Sequence, residues 1–191
     1  MNKAPQLASP GSTQSAAPAS APAREPRAFS FLKPKLVTVT PPAIDPHGRA
    51  ILMARADSSV PALVRAVVDH TIALHNEHGR ESGYVQAIQV SVLNRRRRAA
   101  RAWIQSILSG AVDAPTLHAV ATQWLPTLAG NGRDAEFVTR TVRSCVEFVR
   151  GSITALLFDQ PADNLLGNAR ALHVLETVLS VHLSAAEEAR S

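Results

Sequence analysis

The sequence predicts an all-α protein: a helical bundle of about five helices, preceded by a disordered Ala/Pro/Ser-rich N-terminal arm and a short extended strap. Three observations lead there. From Pro61 onward, apolar residues recur at the three-and-four spacing that lines one face of a helix. Aromatic residues make up only 4% of the chain, so the core has to be built from Leu, Val, Ile and Ala on aliphatic helix seams. The apolar stretches are also punctuated by Ser, Asp, Pro and Gly where helices need caps and stops.

Residues 1–28, "MNKAPQLASPGSTQSAAPASAPAREPRA", contain almost nothing to bury, so ordering them would cost entropy without return. They read as a disordered arm. Residues 29–57 read as an extended strap or docking segment. Phe29, Phe31, Leu32, Leu36, Val37 and Val39 concentrate apolar side chains there, while Pro34, Pro41 and Pro42 oppose helix. The bundle domain is expected over 58–191.

Its first helix spans about Pro61 to His78, capped by Ser58 or Ser59, with Gly79 as its stop. A second runs from about Tyr84 to Leu108 and ends at Gly110. Asp113 and Pro115 open a third, which closes near Leu128 with Pro126 close to its end. After the turn "AGNGRD", Asp134 caps a fourth helix, whose apolar residues cover more than half of its circumference and make it the expected centre of the bundle. The last helix, about Ala162 to Ala189, sets Leu165, Leu172, Leu175, Leu179 and Leu183 close to a heptad seam that Asn168 and His182 interrupt. Of these, Leu172, Leu175 and Leu179 are the expected interface of a homodimer; packing on the fourth helix is the alternative.

A single cysteine, Cys145, excludes an intrachain disulfide and suits a reducing cytoplasm. Residues 1–30 lack the apolar run of a secretory signal, and no later stretch reaches the length of a membrane span. The net charge of +5 is unevenly placed: residues 84–150 are strongly basic and residues 159–191 are acidic. These two regions have the option of neutralising each other within one chain or between two copies.

The strongest pointer to a partner is "NRRRRAARAW". A helix turns about 100° per residue, so four successive arginines cannot share a face. Arg96 falls in line with Ile88, Val92, Ala99, Trp103 and Ile107, which requires it to pair with an acid, to snorkel past Ala99 and Ala100, or to sit at a bend. Arg95, Arg97, Arg98 and Arg101 should stay solvated. They could grip phosphates, yet lysines are nearly absent from the domain and no aromatic residues interleave with the run.

Other chemistry finds weaker support. His70, His75 and His78 with Glu77 do not form a metal set, because only His75 and His78 share a face. His118, His173 and His182 lie on helical stripes, where a haem-binding sensor would place a ligand. No nucleophile or phosphate-loop motif is present, and Glu147, Asp159 and Asp163 sit where helix caps commonly do. No cofactor is expected. The leading expectation is a cytoplasmic, non-enzymatic regulatory or adaptor domain acting through protein–protein interaction, in outline similar to the helical modules of bacterial signalling proteins. The alternatives are a nucleic-acid-associated protein using Arg95, Arg97, Arg98 and Arg101, or a helical sensor of a small ligand or haem.

Overall fold

A computed structural model describes residues 41–81, 88–130, 134–159 and 164–190. The expected arm at 1–28, and the strap as far as residue 40, lie outside these residues. The described part is all-α. Helix α1 spans Pro46–Ala56, α2 Val60–Glu81, α3 Val90–Leu108, α4 Ala114–Ala119, α5 Leu125–Ala129, α6 Ala135–Phe158 and α7 Leu165–Glu188. A short 3₁₀ turn at Asp57–Ser59 joins α1 to α2, and a π turn at Val120–Trp124 makes α4 and α5 one continuous rod. No described helix is long and apolar enough to cross a membrane.

Helix α1 corrects, over Pro46–Ala56, the reading of 29–57 as extended. Asp45 adopts extended backbone and its carboxylate accepts from the His47 amide at 3.0 Å, while Pro46 supplies a preset first turn. The Asp–Pro start was legible. The face it introduces was not, since only Gly48, Leu52 and Ala56 are buried, and two of those three are small residues with little apolar signal.

Gly79 does not end α2, which continues for two residues to Glu81. The expected helix from Tyr84 begins, among the described residues, at Val90; residues 82–87 lie outside them. Gly110 stops α3 with φ of +65°, and the amides of Gly110 and Ala111 return to the carbonyls of Ile107 and Ser106. The π turn has a clear cause. Pro126 has no amide to give, and its ring would crowd a carbonyl one α-turn back. A widened turn, in which the Leu125 amide reaches Val120 O, lets the rod continue past it. Asp134 and Asn164 cap α6 and α7 through their side chains, at 2.7 Å to Phe137 N and 3.0 Å to Gly167 N.

Helices α6 and α7 pack side by side, with α1 laid along α7 and α2 against both α3 and α6. Leu175 and Leu179 are fully buried within the single chain, among Leu52, Trp103, Ile107, Val149 and Ile153 of one core, and Leu172 packs half-buried against it. The expected dimer stripe is therefore core. A chain this short needs its longest apolar helix inside, and the added helix α1 closes over the side that the sequence left open.

The α1–α7 contact depends on the absence of a side chain at Gly48. A Cβ there would lie 2.6 Å from the Arg170 carbonyl oxygen, a backbone atom that cannot swing away. Gly48→Ala is expected to lower stability by about 1–3 kcal/mol through overpacking, read as a reduced urea midpoint. Leu175→Ala and Leu179→Ala should each cost about 2–5 kcal/mol as buried-cavity substitutions. Variants that keep wild-type stability while altering molecular mass would return these residues to a dimer interface.

Candidate functional site

Helix α3 divides into an inner and an outer face. Trp103, Ile104 and Ile107 are fully buried, and Arg96 joins them at 2% exposed, so the guanidinium turns inward instead of snorkelling to water. It lies near Cys145, whose thiol is pushed up to about 12 by burial against the pull of the Arg96 charge. At that value the sulfur stays protonated near neutral pH and packs as a small apolar group.

Arg95, Arg97, Arg98 and Arg101 are all exposed, as the period of the helix requires. None of the four forms an ion pair with another described residue. The acids of α7 are engaged elsewhere. Arg143 of α6 meets Glu187 at 2.7 Å, and Arg150 meets Glu176 at 3.0 Å and Glu147 at 2.6 Å. Neutralisation among the described residues thus draws on arginines of α6 and leaves Arg95, Arg97, Arg98 and Arg101 of α3 facing solvent.

Two open clefts flank the α3 ridge. One, of about 630 Å³, has Pro61, Val64 and Arg65 of α2 on one side and Arg97, Arg98 and Arg101 on the other. The second, of about 320 Å³, sets Arg95 and Arg98 beside Gln123 and Trp124 of the π turn. Among the described residues, no carboxylate lines either cleft. Arg98 borders both. Sequence reasoning found the four arginines but missed Arg65, which stands 30 residues before the first of them, and Trp124, which stands 23 residues after the last. The only local signal for Trp124 was the proline two residues later, which shifts the helical register at that point.

The histidines do not converge. His70 of α2 lies flat on Phe148 at 4.5 Å and shares a 2.9 Å hydrogen bond with the Ser144 hydroxyl, which ties α2 to α6. His78 packs against Phe137, 3.7 Å from the Asp134 carboxylate. His118 is half-buried and His173 exposed. His182 is fully buried, with Nε2 2.8 Å from the Ala111 carbonyl. Nε2 must therefore carry the proton it donates. Among the described residues, no group of three or more His, Cys, Asp or Glu is placed to hold a metal ion. The largest exposed apolar side chains besides Val90 and Met53 are Phe158, Leu165 and Leu166, at the ends of α6 and α7 that the same connection joins. No protein-family model matches the chain, and neither does any curated protein or any solved structure.

Burial lowers the affinity of both His70 and His182 for a proton below the ordinary imidazole value of 6.5. Each group then binds more protons in the unfolded chain than in the fold. Stability is fully present above that value and is lost as pH falls below it, down to the depressed folded value. His182, the more deeply buried, should dominate. Comparing urea midpoints at about pH 7.5 and pH 5.5, on either side of the free imidazole value, the wild type is expected to weaken. His182→Gln, whose amide can donate to the Ala111 carbonyl, should weaken less; equal losses in the two proteins would assign the titration to other groups.

Proposed function

We propose that this chain is a non-enzymatic regulatory or adaptor domain of the cytoplasm that recognises an anionic partner macromolecule through the outer face of α3. One observation carries the reading: Arg95, Arg97, Arg98 and Arg101 stand exposed on a single helix with no ion pair among the described residues, while α6 and α7 satisfy each other's charges. An isolated surface arginine needs no explanation. Four on one ridge, with Arg65 facing three of them across a cleft that no carboxylate among the described residues lines, form a focused positive field that attracts negative partners and speeds their encounter. Arginine suits the role because its planar fork stays charged and binds carboxylate or phosphate in pairs of hydrogen bonds.

The rigid setting supports a binding role as well. The inner face of α3 is locked into the core by Trp103, Ile104 and Ile107, so the ridge is held in place before a partner arrives and little ordering is left to the moment of binding. The N-terminal arm carries cations of its own, which makes a charge-matched comparison necessary. On a sulfated-polysaccharide column, replacing Arg97 and Arg101 with Gln is expected to advance elution to markedly lower salt than replacing Arg49 and Arg80 with Gln. Both variants should keep their helical circular dichroism, because all four side chains are exposed. Equal shifts would mean that net charge alone is at work, and the ridge would lose its claim.

A further inference from the structure

We infer that the anionic partner of the α3 face is a single-stranded nucleic acid, with its phosphates on the arginine ridge and a base against Trp124. The inference rests on the reading of α3 as a partner surface and adds the chemical class of what binds there. Three observations lead to it.

The first is the pairing of the two clefts. From Arg95 to Arg101 the ridge covers about 9 Å of helix axis, since each residue rises about 1.5 Å. Arg97 and Arg101 are four apart, Arg98 and Arg101 three apart, and Arg95 and Arg98 three apart, so neighbouring guanidinium groups follow one another along the ridge. Phosphates on one strand rise about 3.4 Å each in a helical form and lie further apart in an unstacked one, which gives at most two or three of them within reach. Beside that row the second cleft holds an indole, from Trp124, and a side-chain amide, from Gln123. A carboxylate-rich peptide would use the cations and leave the indole idle. A nucleic-acid strand uses both, because every base has a flat face to stack and edges for an amide to bond.

The second observation separates single strands from duplexes. A helix that reads a duplex projects from its domain so that it can enter the major groove. Helix α3 is instead bordered on one side by α2 and on the other by the π turn and α5, with the clefts between them. A strand with unstacked bases can lie across such a ridge and place a base in the side cleft; a paired base cannot reach it.

The third is the origin of Trp124. It lies in the π turn that Pro126 imposes, and the widened turn changes which side of the rod its residues present. The indole is half-buried, packed partly on the core and partly lining the cleft beside Arg98, so it combines a fixed orientation with an accessible part. Among the described residues every side-chain cation apart from histidine is an arginine, and guanidinium planes also stack on bases.

The test uses the full chain and an oligodeoxythymidylate of about 16 nucleotides, the upper range of a compact single-strand site. The chain has two tryptophans, and Trp103 is fully buried, so quenching of intrinsic fluorescence on binding reports Trp124. Binding with quenching is expected at low salt, weaker for a duplex of the same length, with affinity falling linearly against the logarithm of salt. Changing Arg97, Arg98 and Arg101 to Gln should reduce the magnitude of that slope by about 2, at about 0.7 per lost phosphate contact. Trp124→Ala should weaken binding about five- to a hundredfold with the salt slope unchanged, which a purely structural role would not produce. Trp124→Phe keeps a ring in place, preserves the fold if the alanine variant does not, and should retain most of the affinity. Binding without quenching, a preference for duplex, or a Trp124→Phe protein as weak as the arginine variant would each overturn the inference. Capture of a polyglutamate peptide on the same arginines without any oligonucleotide binding would overturn it too, yet leave the anionic-partner reading standing; failure of every polyanion would remove both.

Discussion

Helix α7 can be stable only if its apolar face is covered, and the arrangement of the other elements follows from that requirement. Leu175, Val178, Leu179 and Ala186 are all buried, with His182 on the same inner side. Cover comes from α6 on one side, from α1 on another, and from the π turn and α4 toward the C-terminal half. Each contact has a local device that permits it. Gly48 lets α1 approach the α7 backbone, Asp45 pairs with Arg170 at 2.9 Å, and Ala111 offers its carbonyl to His182. With aromatic residues at only 4% of the chain, aliphatic close packing must supply the stability, so small residues at crossings carry unusual weight.

Charge is distributed by the same logic. Helices α6 and α7 lie side by side with their polar edges exposed, and that is where arginines and glutamates meet, as Arg143 with Glu187 and Arg150 with Glu176. Surface pairs of this kind add little stability. Their larger consequence is the removal of the C-terminal acids from the account of α3. The four exposed arginines of α3 lie between α2 and the π turn, where no carboxylate among the described residues lines the clefts. The single arginine of the run that turns inward, Arg96, does so because the helical period leaves it on the side of Ala99, Ala100 and Trp103. One short motif is thereby split: three of its four arginines face solvent, and one residue is committed to the interior.

The π turn links the fold to the candidate site. A proline inside a helix has to be accommodated somewhere, and here the accommodation widens one turn and carries Trp124 to the edge of the arginine ridge. Structural necessity and the proposed binding surface meet at the same five residues. That coincidence distinguishes this ridge from an ordinary solvated face, which would have cations but no fixed aromatic neighbour.

Local chemistry alone determined much of this protein. The period of the apolar residues marked α2, α3, α6 and α7 as helices, Asp113 and Asp134 marked the starts of α4 and α6, Gly110 marked a stop, and the all-α class followed, because these signals act over one or two turns of chain. The same period sorted the arginine run, setting Arg96 inside and Arg95, Arg97, Arg98 and Arg101 outside. Tertiary structure decided what periodicity cannot. A leucine stripe has the same pattern whether it faces a second copy or its own core, and only the placement of α1 and α6 made Leu175 and Leu179 interior. A glycine reads as a helix stop until its neighbours are known, so Gly79 inside α2 and Gly48 against Arg170 were both illegible. The meetings of Arg98 with Arg65 in one cleft and with Trp124 in the other are likewise properties of elements packed together, since each residue was visible in the chain but its neighbours depend on how the helices cross.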